Sequence, residues 1–109
     1  MALRAFSLYH DRMIQLNGKQ LRHLRGLAHH RPVVVMVGNS GLTNALKLEF
    51  DKALSTHELV KVKLPAGQSS KKHGFLQELC RTAGAVPVQL IGRVGVAYRP
   101  AEIPRITLP

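Results

Sequence analysis

Residues Val33 to Leu42, Val-Val-Val-Met-Val-Gly-Asn-Ser-Gly-Leu, restrict the fold more than any other stretch of the chain. The unbroken apolar, β-branched run suits a strand covered on both faces, and it enters a four-residue Gly-x-x-Gly turn. Gly38 and Gly41 lack a Cβ, so the backbone there can take positive φ and admit the close approach of another backbone. A helix beginning near Thr43 would aim its unpaired N–H groups and the positive end of its dipole at the turn, a setting suited to phosphate. Many plain strand-to-helix connections look the same. The flanking sequence therefore decides what the turn is for.

Upstream, Leu16-Asn17-Gly18-Lys19-Gln20-Leu21 reads as an Asn cap with Gln three residues on and a Leu16/Leu21 staple, opening a helix over 18–29. Leu21, Leu24, Leu27 and Ala28 form its apolar stripe, and Lys19, Arg22, Arg25 and His29 fall together on another side. Residues 1–15 show no convincing period and read as a loosely ordered N-terminal extension, with Met13 an alternative start. An Arg-rich transit segment is a second reading of the same stretch. Residues 16–109 form a single domain.

Downstream, Thr43 caps a helix through about Leu54, with Leu46, Phe50, Ala53 and Leu54 inward. Leu59 to Leu64 alternates strictly, which places Val60, Val62 and Leu64 on one face and Lys61 and Lys63 on the other. Residues 65–70 read as a loop. Lys71 and Lys72 open a third helix, whose apolar side is Phe75, Leu76, Leu79, Cys80 and Ala83 and whose C-cap is Gly84. Val86 to Ile91 and Val96 to Arg99 read as strands joined by a turn at Gly92-Arg93-Val94-Gly95. Pro100, Pro104 and Pro109 punctuate an extended tail, with a short edge strand expected at Arg105 to Leu108. The order α-β-α-β-α-β-β predicts an α/β sandwich with one mixed sheet of about four strands. The two crossover helices should share one face, with the first helix joining them or packing elsewhere.

Charge narrows the partner. Sixteen Lys and Arg against six acids give a net charge of +10, concentrated toward the two ends of the chain. Such a bias concerns partners, not fold. The single cysteine, Cys80, sits in an apolar helical pattern and reads as a buried structural residue, which fits a reducing compartment. No apolar run approaches a membrane span, so the sequence predicts a soluble, cytoplasmic protein with no membrane partner. The six His have no neighbouring Cys or acid at metal-ligand spacing. The turn also lacks the Gly-Lys-Ser/Thr ending of a P-loop, and no nucleophile, base and orienter stand together. The expectation is a non-enzyme with no metal, no cofactor and no small-molecule substrate.

Four motifs together resemble the CRM domain: Leu24-Arg25-Gly26-Leu27-Ala28-His29; Val37-Gly38-Asn39-Ser40-Gly41-Leu42-Thr43; His57-Glu58-Leu59-Val60-Lys61-Val62-Lys63; and Gln89-Leu90-Ile91-Gly92-Arg93 with Tyr98-Arg99-Pro100. The likeness is greatest to the bacterial single-domain YhbY-like RNA-binding proteins and covers residues 16–109. It implies a fold shared with the C-terminal domain of translation initiation factor three. It also implies RNA binding, in bacteria to 23S rRNA and pre-50S particles during ribosome biogenesis, and in plant organelles to introns. The GxxG loop is compared with the backbone clamp of KH domains. Because Asn39 and Ser40 carry no charge, neighbouring cations must supply it.

The candidate RNA-binding residues are therefore Gly38, Asn39, Ser40 and Gly41, then Lys19, Arg22 and Arg25, whose helix leads directly into the strand bearing the loop. Lys61 and Lys63 follow, and Lys71, Lys72 and Arg99 come third. Phe50 and Phe75 sit on apolar helix faces and Tyr98 near a strand end, so recognition should lean on backbone and shape more than on aromatic stacking. Intron or messenger RNA, DNA, or an acidic protein met by the basic surface, are the alternative partners.

Overall fold

The computed structural model describes residues 14–67 and 69–109, so most of the N-terminal extension, residues 1–13, lies outside the described residues. Among the described residues seven elements follow in order: α1 (Gly18–His29), β1 (Val33–Met36), α2 (Asn44–His57), β2 (Leu59–Lys63), α3 (Ser69–Ala83), β3 (Val86–Ile91) and β4 (Val94–Tyr98). The strands form one sheet in the order β1-β2-β4-β3. The pair β1/β2 is parallel, and β4 runs antiparallel to both β2 and β3. This is the mixed four-stranded α/β sandwich that the periodicities predict.

Local chemistry fixes the helix starts. The Asn17 side chain accepts from the Gln20 N–H at 2.8 Å, and the Gln20 side chain accepts from the Asn17 N–H at 3.1 Å. That reciprocal pair closes the capping box. Thr43 caps α2 through its hydroxyl, which accepts from the Leu46 N–H at 3.1 Å. The helix runs past Leu54 to His57 and stops where Glu58 adopts φ 63°.

Two cores lie on opposite faces of the sheet. Phe50 and Leu54 from α2 and Leu76, Leu79 and Cys80 from α3 pack on Val35, Val60, Val62 and Ala97. Both crossover helices thus occupy one face, as right-handed connections require. The first helix takes the other face, where Leu24 and Ala28 meet Leu59, Val88, Val96 and Tyr98. Burial pushes the Cys80 thiol up to about 12, which makes it an inert packing residue.

Three expectations are corrected. The strand β1 is not covered on both faces: Val35 and Val37 are buried, but Met36 is 65% exposed. It is an edge strand, and α1 lies over β2 and β3 instead. Gly95 belongs to β4 and not to the turn, which is Gly92-Arg93 alone. A Cβ at Gly95 would come within 2.9 Å of a Leu76 methyl, so glycine there lets α3 seat on the sheet. Finally, residues 105–108 form no strand, because the backbone N–H groups of Arg105 and Ile106 are taken by a side chain, the Glu58 carboxylate.

Candidate nucleic-acid interface

The GxxG loop sits where β1 ends. The Gly41 N–H donates to the Gly38 carbonyl at 3.0 Å, and the Thr43 N–H to the Gly41 carbonyl at 3.1 Å. Among the described residues the Asn39 and Ser40 N–H groups have no backbone acceptor, and both residues are exposed. The two glycines differ. Gly41 takes φ 71°, a left-handed conformation, and a Cβ there would meet the Phe75 ring at 3.8 Å. Gly38 has no positive φ, and a Cβ on it would meet nothing within 4 Å.

Beside the loop lies a cleft of about 540 Å³. Its walls are Gly38, Asn39, Gly41 and Leu42 on one side and Pro65, Lys71, Lys72 and Phe75 on the other. Phe75 is partly buried and leans on the α2/α3 core, so it belongs to the core as well as to the cleft wall. The cations nearest the loop are thus Lys71 and Lys72, which sequence adjacency ranks last. Among the described residues neither makes an ion pair.

Lys19, Arg22 and Arg25 are exposed on α1 but do not line the cleft. The helix enters β1 at the strand's first residue, whereas the loop leaves from its last. Arg25 instead reaches the sheet, where its Nε donates to the Val88 carbonyl at 3.4 Å. With His29 it borders a second groove of about 290 Å³, whose floor includes Lys61, Gln89, Ile91 and Val94. Lys61 and Lys63 are half-buried on this face, beside the residues α1 covers.

Arg99 lies outside the cleft. Its side chain is only 12% exposed, and both Nη atoms of its guanidinium are engaged. One Nη donates to Asp51 Oδ1 at 2.6 Å and to the Ala83 carbonyl at 2.8 Å; the other donates to the Asp51 carbonyl at 3.1 Å and to Ser55 Oγ at 2.9 Å. This arginine ties α2 and α3 to the end of β4.

Nearby is a residue that sequence reasoning missed. Glu58 is fully buried, and its carboxylate accepts from the N–H groups of Ala101 at 2.9 Å, Arg105 at 2.9 Å and Ile106 at 3.1 Å. Burial alone would raise its pKa, but those three donors and the Arg105 guanidinium together hold the carboxyl below its ordinary range. It fastens the C-terminal tail to the fold. The signal in the sequence is faint, an acid between a helix and a buried strand. Among the described residues no three His, Cys, Asp or Glu side chains gather as a metal site, and no helix is long and apolar enough to cross a membrane.

The profile of the CRS1/YhbY (CRM) domain matches residues 16–99. A Haemophilus influenzae protein named as an RNA-binding protein is 42% identical over 97 residues, covering 89% of this chain and 98% of its own length. YqeI of Bacillus subtilis, named as a probable RNA-binding protein, is 33% identical over 95 residues, covering 86% of this chain and 99% of its own. The solution structure of a hypothetical protein from Staphylococcus aureus, described as a candidate for RNA binding, matches with a TM-score of 0.76 and 32% identity. It covers 87% of this chain and 100% of that one.

Proposed function

The chain belongs to the CRS1/YhbY (CRM) domain family, and on that premise we propose that it is a non-enzymatic RNA-binding protein acting in large ribosomal subunit assembly. Its target in this reading is 23S rRNA within pre-50S particles. The RNA backbone lies in the cleft beside Gly38 to Gly41, where the free N–H groups of Asn39 and Ser40 take phosphate oxygens and Lys71 and Lys72 balance the charge.

One observation carries the proposal: among the described residues, nothing requires Gly38 to be a glycine. Its φ is ordinary and a Cβ would meet open space. A residue whose missing side chain serves no internal contact fits a surface where a second backbone comes close. The net charge of +10 supplies the long-range attraction.

Gradient profiling tests the assembly role directly. The protein should co-sediment with large-subunit precursors at low salt, and its loss should make those precursors accumulate. A protein that stays at the top of the gradient, with unchanged precursors on deletion, removes the ribosomal target. Tight binding to a messenger or intron RNA in the same extracts would then redirect the proposal.

A further inference from the structure

Among the described residues, the sheet face under α1 is only half covered. At one end, Leu59 and Tyr98 are buried beneath the helix; at the other, the paired positions run Met36, Lys63, Val94 and Ile91 across all four strands. Met36 is 65% exposed and Ile91 66% exposed. At ~4.8 Å per strand the row is about 14 Å wide. Apolar side chains left open at both ends of one row, with a lysine between them, call for a partner that is itself both apolar and anionic.

The row also joins the loop. The Val37 N–H donates to the Lys63 carbonyl at 2.8 Å, and Gly38 is the next residue. One register step inward, Lys61 meets Arg25 and His29 in the 290 Å³ groove. Among the described residues neither Lys61 nor Lys63 makes an ion pair. A second copy of this chain would bring another +10 of charge to this face, whereas single-stranded nucleic acid offers flat apolar bases on an anionic backbone.

We propose that this open half of the sheet is a second contact surface for RNA, on which unpaired bases lie over Met36 and Ile91 while their phosphates meet Lys61 and Lys63. The proposal rests on the RNA-binding reading of the loop and extends it. A strand clamped at Gly38 passes over the end of β1 onto the row, and the polarizable Met36 thioether is suited to the face of an aromatic base. The loop reads the sugar-phosphate chain, and the sheet reads the presence of bases.

Fluorescence anisotropy on the full chain tests this with two labelled probes of equal length: an oligouridine and the corresponding abasic ribose-phosphate strand. The wild-type protein should prefer the oligouridine by about tenfold, consistent with stacking contacts of modest strength. The double variant Met36→Ser, Ile91→Ser alters exposed side chains only, so it should keep its circular dichroism and denaturation midpoint. It should lose most of that preference while binding the abasic strand as the wild type does. Gly38→Ala, by contrast, should weaken both probes alike. A double variant that retains the preference, or a wild type that shows none, overturns the sheet-face proposal. A wild type that binds neither probe overturns the RNA reading itself.

Discussion

The two ends of the sheet use their cations in opposite ways. Where β2 begins and β4 ends, arginines are internal ties. Arg99 bridges Asp51, Ser55 and Ala83, Arg31 donates to the carbonyls of His57 and Leu59, and Arg105 meets Glu58 and the carbonyls of Ser55 and Thr56. Where β1 and β2 end, the cations are lysines, and among the described residues no lysine forms an ion pair. Arg93 is the exception at that end, since its Nε donates to the Leu64 carbonyl at 3.0 Å. Guanidinium groups present a rigid fork that can join several acceptors at once, whereas an ammonium is a mobile point charge. The chain's net charge therefore divides into a part that holds the fold and a part free to meet a polyanion. The same division predicts which substitutions act on stability and which on binding.

The largest effect belongs to the tied end. Glu58→Ala leaves the N–H groups of Ala101, Arg105 and Ile106 without their acceptor, and the expected loss is about 3 kcal/mol of folding stability. Chemical denaturation measures it; a loss below ~1 kcal/mol would show that the tail is held by Ile106 and Leu108 packing instead. Acid stability gives an independent check. The folded carboxyl titrates below its ordinary value near 4.5, so the unfolded chain binds more protons in that range. Its contribution is fully present above the unfolded value and is lost as pH falls through the depressed folded one. Glu58→Gln should therefore remove part of the acid dependence of the unfolding midpoint and leave the neutral-to-alkaline part unchanged.

This contrast also explains which features were legible in the sequence. The Asn17/Gln20 box, the Thr43 cap and the Lys61/Lys63 alternation depend on neighbours within four residues, and all three stand in the structure as the pattern predicts. Glu58 was not legible because its donors lie 43 to 48 residues away. Gly95 read as a turn residue because its reason, the approach of Leu76, is tertiary. The structure places the cations around the loop in a different order for a related reason. Chain adjacency joins α1 to β1, but a strand separates the two ends of that connection, and the loop's neighbours come from α3 after a crossover.

At the open end, the sharper comparison is between Lys71/Lys72 and the α1 cations. Lys71→Ala with Lys72→Ala should weaken RNA binding by about tenfold at low salt and flatten the log–log salt slope by ~1.4, at about 0.7 per phosphate contact. Stability should change by less than ~0.5 kcal/mol, because neither side chain makes an ion pair among the described residues. The triple variant Lys19→Ala, Arg22→Ala, Arg25→Ala measures what α1 adds from outside the cleft. If it flattened the slope while the Lys71/Lys72 variant did not, the binding surface would lie along α1 and not beside the loop.

The smallest effect separates the two loop glycines. Gly41 holds a left-handed φ of 71°, so Gly41→Ala should cost about 1 kcal/mol of stability through backbone strain, whatever happens to binding. Gly38 carries no such strain and has open space around it, so Gly38→Ala should leave the denaturation midpoint within ~0.3 kcal/mol of wild type or raise it slightly. The same methyl group would stand where the RNA backbone approaches, and it should lower affinity without changing the salt slope, since no cation is lost. Asn39→Ala removes a side chain and keeps the backbone, so it should weaken binding less than Gly38→Ala. If Asn39→Ala proved the more damaging of the two, the loop would be reading RNA with its side chains, and the open space at Gly38 would have no part in recognition.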